Sequence, residues 1–154
     1  LNRKPFSDIT VTDIVTTANI NRGTFYNHYS NPIDVVEEFK RGLLEKFALE
    51  IKKTSNKKDV DSLIDLIVQH LKENEKDYKK IINSIPISII DDMKKELIIR
   101  VRELNPNVSE LGLYLIVNAI SGLFIDYLKR KIIFSFDEMS KRLKEFVNTT
   151  IQII

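Results

Sequence analysis

The chain has 154 residues, 43% of them hydrophobic and 30% charged, with a formal net charge of +2. That length and composition fit a globular protein with one mid-sized domain, or with a small domain joined to a larger one. The absence of cysteine excludes disulfides, thiolate zinc sites and cysteine nucleophiles, and the small net charge gives no argument for nucleic-acid binding.

The first predicted element is a short helix that begins after Thr10. Thr10 and Asp13 have the spacing of a capping box, in which each side chain accepts a hydrogen bond from the backbone amide of the other residue. Ile9 and Ile14 flank this cap as a hydrophobic staple. The helix is expected to end near Asn19, because asparagine tolerates the left-handed conformation that a sharp turn requires.

The second predicted element is a helix of scarcely two turns, from Arg22 to about His28. Asn21 is its expected N-cap, and Ile20 and Phe25 form its staple. Gly23 in the first turn lowers helix propensity by ~1 kcal/mol relative to alanine, and an isolated helix of this length would not form. We therefore expect packing through Phe25 to hold it against the preceding helix.

Helical periodicity continues through the rest of the chain, with no sustained alternation of apolar and polar residues. The next helix begins at Asn31 and Pro32, with Asp34 in its first turn. A polar break at 54–58 and a turn at 105–107 divide the later elements. The helix that begins at Pro32 is expected to be long, with an apolar stripe from Val35 to Ile51. The further predicted helical segments are 60–71, a shorter helix around 78–82, 88–104, 111–128 capped by Ser109, and about 137 to the C-terminus.

The segment 111–128 is apolar and long enough to suggest a transmembrane helix, with a positive stretch at 129–131 behind it. Four polar or charged side chains nevertheless fall close to one of its faces: Tyr114, Asn118, Ser121 and Asp126. Such a face favours burial against other protein, so we expect an all-α chain and no membrane partner. The chain begins with Leu1 and shows no signal peptide, and we expect an N-terminally incomplete, cytoplasmic protein.

Two short helices joined by a tight turn are typical of the helix-turn-helix arrangement. On the second helix, arginine and asparagine could contact base edges, while threonine, tyrosine and histidine could donate to phosphate oxygens. The helix N-terminus also offers free amides to a phosphate. The candidate DNA-binding residues there are Asn21, Arg22, Gly23, Thr24, Tyr26, Asn27 and His28. The capping pattern alone leaves a merely structural helical corner about equally well supported.

The string from Ile9 to Ile14, together with Ala18 and the string from Arg22 to Tyr29, resembles the signature of the tetracycline-repressor (TetR/AcrR) family. The resemblance covers this N-terminal stretch, and the rest of the chain is similar to the family in architecture only. It implies a helix-turn-helix DNA-binding domain at 1–48, with most of its first helix absent, and a helical-bundle ligand-binding and dimerisation domain at 49–154.

The resemblance also assigns roles by position. The family's DNA contacts fall on Arg22, Gly23, Thr24, Tyr26 and His28, with Thr12 on the supporting helix. Phe25 corresponds to the buried aromatic residue that anchors the second helix. The chain departs from the family pattern at two positions. Asn19 replaces the usual turn glycine, and Pro32 stands where members often have a lysine, which leaves one phosphate contact open.

The family implies a homodimeric transcriptional regulator, in the first instance a repressor, bound to a partly palindromic double-stranded DNA operator. A small hydrophobic effector between the helices would change the spacing of the two DNA-contacting helices. One alternative keeps the fold but makes a protein partner the effector and activation the output. Another is a helical ligand-binding or enzymatic protein in which the first segment is only a structural corner.

The remaining candidate residues concern the effector and the dimer. His70, Tyr114 and Asn118 are the candidate effector ligands, although His70 fits a plain structural histidine as well. The last two helices are expected to pair with those of a second copy, and the candidate dimer residues are Leu128, Met139, Leu143, Phe146 and Val147. No catalytic constellation or phosphate-binding loop is recognisable and no acidic cluster accompanies either histidine, so we expect no enzyme, cofactor or metal.

Overall fold

A computed structural model of the chain describes residues 8–53, 59–84 and 89–153, which fold into α-helices without any strand. The helices are α1 Val11–Ala18, α2 Arg22–Tyr26, α3 Pro32–Lys52, α4 Val60–Ser84, α5 Ile89–Leu104, α6 Glu110–Leu128 and α7 Phe136–Ile153. The all-α class expected from the sequence is therefore confirmed. The predicted polar break at 54–58 and the start of a helix at Ser88 lie outside the described residues.

Side-chain caps define where these helices begin, as the sequence indicated. Thr10 and Asp13 form the capping box of α1, and the Asn31 and Asp34 side chains form a second one at the start of α3, where Pro32 is the first helical residue. The Ser109 side chain accepts a hydrogen bond from the Gly112 amide and caps α6. Each cap satisfies amides that have no partner inside the helix.

The core lies among α3 to α7. The most extensive packing joins α4 to α7 and α5 to α6, and α3 packs against both α4 and α5. Buried aliphatic and aromatic side chains from all five helices form one continuous cluster. From α3 only the C-terminal part, Leu43, Phe47 and Ile51, enters that cluster as fully buried residues. The predicted domain boundary between residues 48 and 49 therefore falls inside a continuous helix that belongs to both parts.

One predicted element is wrong. The sequence suggested a separate short helix around 78–82, whereas α4 runs without interruption through 25 residues from Val60 to Ser84. The polar stretch between the two apolar segments continues the helix instead of ending it. Lys79 pairs with Glu75 and Lys80 with Asp77 along the helix surface, and pairs with this spacing stabilise helices.

Helix α6 is, within the described residues, the one helix long and apolar enough to cross a membrane by length and composition. Eight of its residues are nevertheless buried in this chain's own interior, among them Ile116, Ile120 and Phe124. A core helix passes the same length and composition test, and the burial favours that interpretation.

Candidate nucleic-acid interface

The two short helices α1 and α2 meet at a sharp turn, and we call this unit, residues 10–28, the α1–α2 corner. Asn19 ends α1 in the left-handed conformation, with φ 54° and ψ 47°. Asparagine adopts this conformation more readily than most residues. The Ile20 amide then donates to the Val15 carbonyl at 3.0 Å, which closes the turn and sets the direction of α2.

Helix α2 is only five residues long and depends on its flanking contacts. Phe25 is 1% exposed, and its ring lies 5.5 Å from the ring of Tyr29, centre to centre. The Asn21 Oδ1 accepts from the Thr24 amide at 2.7 Å and from the Thr24 hydroxyl at 3.1 Å. The buried Phe25 side chain thus anchors α2, as the sequence indicated. Asn21 and Thr24 form the N-terminal cap of the helix.

The structure gives a reason for glycine at position 23 that the sequence pattern did not reveal. A Cβ atom at this position would lie 3.2 Å from the Asn21 Oδ1, the atom that caps the helix. A larger residue would press on this cap at a distance tighter than ordinary van der Waals contact. Glycine therefore permits the cap in addition to leaving backbone exposed at the start of α2.

The outer face of the corner is polar and exposed. Seven of the eight candidate DNA-binding residues lie on α2 or at its ends, the eighth lies on α1, and all are exposed: Thr12, Asn21, Arg22, Gly23, Thr24, Tyr26, Asn27 and His28. The Arg22 Nη2 donates to the Thr12 Oγ1 across the two helices. Thr12 of α1 therefore lies next to Arg22, the first residue of α2. A guanidinium has five donors, so this bond leaves Arg22 able to donate elsewhere.

The local charge of the corner is low. Residues 8–31 contain one arginine and two aspartates, and the Asp13 Oδ2 is occupied by the Thr10 amide at 2.9 Å and the Thr10 hydroxyl at 2.8 Å. Long-range attraction to a polyanion would therefore be weak here. Any nucleic-acid contact of this face depends on directed hydrogen bonds and on the exposed amides at the start of α2.

The corner is connected to α3 by polar contacts near the start of that helix. The Tyr29 hydroxyl donates to the Glu38 Oε2 at 2.5 Å, and this hydrogen bond with a carboxylate raises the pKa of Tyr29. The Asp34 Oδ2 accepts from the Ser30 amide at 2.6 Å. These contacts fix the segment between α2 and α3, so the orientation of α2 follows that of α3.

The surroundings of His70 favour the structural interpretation over that of an effector ligand. It is 1% exposed; its Nδ1 lies 2.5 Å from the Glu50 Oε2 and its Nε2 lies 2.7 Å from the Tyr78 hydroxyl. Burial lowers the pKa of His70 despite the opposing Glu50 carboxylate. A neutral ring that donates through Nδ1 to Glu50 and accepts through Nε2 from Tyr78 satisfies both nitrogens, and none is left for an effector.

The other two candidate effector residues do not share a site with His70. Tyr114 is 66% exposed on the outside of α6. The Asn118 amide nitrogen donates to the Tyr114 carbonyl at 2.8 Å, and its Oδ1 accepts from the Lys94 Nζ at 3.0 Å. Of the three candidate effector residues, His70 is therefore interior and Tyr114 lies on the surface, and their role as effector ligands stays a prediction. Two cavities lined by described residues, one between α4 and α7 and one near Asp59 and Leu104, include none of the three.

The expected dimer residues also need correction. Four of the five are buried inside this chain: Leu128, Met139, Leu143 and Val147. The apolar stripe of α7 packs against α4 of the same chain, so it is not available to a second copy. Phe146 is the exception and is 43% exposed.

The described residues were also compared with the requirements of a metal site, and the chain with known proteins. Within 8–53, 59–84 and 89–153, no three histidine, aspartate or glutamate side chains lie together in a way that could hold a metal ion. No family model matches the chain, and neither the curated proteins nor the solved structures provide a match.

Proposed function

We propose that this chain is a sequence-specific DNA-binding transcriptional regulator with a helix-turn-helix at residues 10–28, acting as a homodimer on a partly palindromic operator. Its resemblance to the tetracycline-repressor family over that segment suggests repression by operator occupancy. Helix α2 would enter the major groove, and α1 would support it from behind.

The observation that most supports this proposal is the contrast between the two sides of α2. Phe25 is buried and fixes the helix, while Arg22, Tyr26 and His28 around it are exposed, although Tyr26 is a large aromatic residue. Arg22 and Tyr26 are four residues apart and therefore fall on the same face of α2. Both side chains suit DNA, because arginine can bind guanine with two hydrogen bonds and tyrosine can donate to a phosphate.

The position of Arg22 adds a second argument. Its bond to the Thr12 hydroxyl keeps the guanidinium between α1 and α2, which reduces the rotamer entropy lost when it meets a base. Thr12 would therefore act partly by positioning Arg22 and partly by contacting the backbone. Asn21 and Thr24 would contribute mainly through the cap that exposes the first amides of α2.

A homodimer needs an interface, and we propose the outer face of α6 for it. We define this α6 outer face as Leu111, Tyr114, Leu115, Asn118 and Gly122. Leu111, Leu115, Asn118 and Gly122 follow one another at four- and three-residue steps, and Tyr114 lies three residues after Leu111 and four before Asn118. Leu111, Tyr114 and Leu115 are each more than a third exposed. Exposed apolar side chains that form a stripe on one helix mark an interaction surface, and two-fold pairing through it suits a two-fold operator.

The test is a selection of binding sequences from a random double-stranded DNA library, followed by affinity measurements on the selected site. Arg22→Ala should weaken binding by ~1–3 kcal/mol if the side chain contacts a guanine, and Tyr26→Phe should weaken it through loss of one phosphate contact. Arg142→Ala is the matched control, because Arg142 is equally charged and exposed but lies on α7.

The variants should keep the far-UV circular dichroism of the unmodified chain, since Arg22 and Tyr26 are exposed. Equal losses in Arg22→Ala and Arg142→Ala would indicate a nonspecific charge effect and contradict the assignment of the interface. Failure to enrich any sequence would contradict the proposed function as a whole.

A further inference from the structure

A surface groove runs between α4 and α7, and we call it the α4–α7 groove. It has a volume of about 570 Å³, which lies within the ~300–1,000 Å³ usual for small-molecule sites. Its lining residues are Lys53, Ser62, Asp65, Leu66, Val68, Gln69, Lys72, Phe136, Asp137 and Ser140. The groove is separate from the α1–α2 corner and from the α6 outer face.

The floor of the groove is apolar. Val68 is buried, and Leu66 and Phe136 are partly buried. The Phe136 ring is held in place by Tyr127, whose ring centre lies 5.4 Å away. These side chains offer a fixed apolar surface to the body of a ligand.

Two lysines and two aspartates line the groove, and one of the aspartates is paired with a lysine outside the lining. The Asp65 carboxylate is neutralised by the Lys144 Nζ at 2.6 Å and also accepts from the Ser140 hydroxyl at 2.7 Å. Lys72 places its Nζ 5.9 Å from the centre of the Phe136 ring. Neither Lys72 nor Lys53 forms an ion pair with a described residue. Two lysines without a described ion-pair partner therefore line the groove around its apolar floor, and Asp137 lines it as well.

We propose that the α4–α7 groove binds a small amphipathic carboxylate. The carboxylate would pair with Lys72 and Lys53, and the hydrocarbon body would lie on Leu66, Val68 and Phe136. An ammonium held over an aromatic ring fits this chemistry, because it can pair with the head group while the ring contacts the body. Binding itself is independent of DNA, and only a role for the ligand as effector rests on the proposed function.

Isothermal titration calorimetry of the full chain without DNA tests the proposal, with octanoate as the probe. Octanoate should bind at least tenfold more tightly than acetate, which lacks the apolar body, or octylamine, which has the opposite charge. Lys72→Gln should weaken octanoate binding about tenfold, equivalent to about 1.4 kcal/mol. Lys76→Gln is the matched control, since Lys76 is exposed on the same helix outside the groove, and should bind octanoate normally.

A second variant tests whether octanoate binds in this groove or on another apolar surface of the chain. Gln69 lines the groove but is exposed, so Gln69→Trp should fill the groove, keep the circular dichroism spectrum and abolish octanoate binding. The proposal is overturned if octanoate does not bind, if octylamine binds equally well, or if Lys72→Gln or Gln69→Trp leaves the affinity unchanged. Because no DNA is present, any of these results leaves the proposed function to its own test.

Discussion

Phe25 illustrates which properties of a single residue in the α1–α2 corner could be predicted from the sequence. The sequence predicted a buried anchor because Phe25 follows the N-cap Asn21 at staple spacing, and the structure confirms this burial. The same sequence could not reveal that Arg22 bonds to Thr12, since that contact depends on the angle at which α1 and α2 meet. Local hydrogen bonds are thus visible in the sequence, whereas contacts across the turn are not.

Replacement of Phe25 should show whether α2 depends on this buried side chain for its folding. Phe25→Ala removes the one fully buried side chain of α2, with a cost of ~3–5 kcal/mol for a core aromatic residue. We expect faster amide hydrogen exchange throughout α2 and loss of DNA binding. Phe25→Leu retains most of the apolar contact and is the control. Protected α2 amides in Phe25→Ala would show that the helix does not depend on this anchor.

The burial of His70 predicts that the stability of the chain depends on pH. Its pKa is lowered from 6.5 by burial, so below pH 6.5 the unfolded chain binds a proton that the folded chain does not. Stability is therefore fully present above pH 6.5 and is lost as the pH falls through the lowered pKa, with a slope of at most about 1.4 kcal/mol per pH unit.

Urea unfolding between pH 8 and pH 5 measures this effect. His70→Gln should be less stable at pH 8, because it replaces a residue hydrogen-bonded to Glu50 and Tyr78, but its stability should change less on acidification than that of the unmodified chain. Parallel pH profiles for the two proteins would assign the acid sensitivity to other groups.

At the scale of the element, helix starts were predictable and helix continuity was not. The start of α3 follows from Asn31, Pro32 and Asp34, each of which has a defined local role. The predicted separation of 78–82 from α4 was wrong because Lys72, Glu73 and Lys76, which suggested a break, lie on the solvent side of a continuous helix. Asn74 shows the other side of that stretch: it is buried, and its amide donates to the His70 carbonyl at 2.8 Å.

The contribution of the α3 cap to the free energy of unfolding should be measurable by itself. The Asn31 Oδ1 accepts from the Ile33 amide at 2.8 Å and from the Asp34 amide at 3.2 Å, so Asn31→Ala should cost ~0.5–2 kcal/mol in the free energy of unfolding. Asn31→Ser keeps a capping oxygen and should lose much less. Similar losses in both variants would mean that the side chain acts through something other than its cap.

For the whole molecule, the sequence led us to expect a dimer through the last two helices but could not tell which apolar stripes are used within one chain. The stripe of α7 was assigned to a partner, although α4 of the same chain covers it. Periodicity reveals that a helix has an apolar face and leaves open what packs against that face. The α6 outer face, with apolar residues on the side of α6 facing away from the core, then becomes the surface proposed for a second copy.

Two leucines distinguish these surfaces by experiment. Leu115 is 41% exposed on the α6 outer face, whereas Leu143 is 5% exposed in the core. Leu115→Glu should therefore give a folded monomer in sedimentation velocity, because it places two like charges at a two-fold contact, with weaker binding to a two-site operator. Leu143→Glu should instead unfold the chain, since it buries an unpaired carboxylate. A monomeric unmodified chain at micromolar concentration, or a Leu115→Glu variant that still dimerises, would contradict the proposed interface.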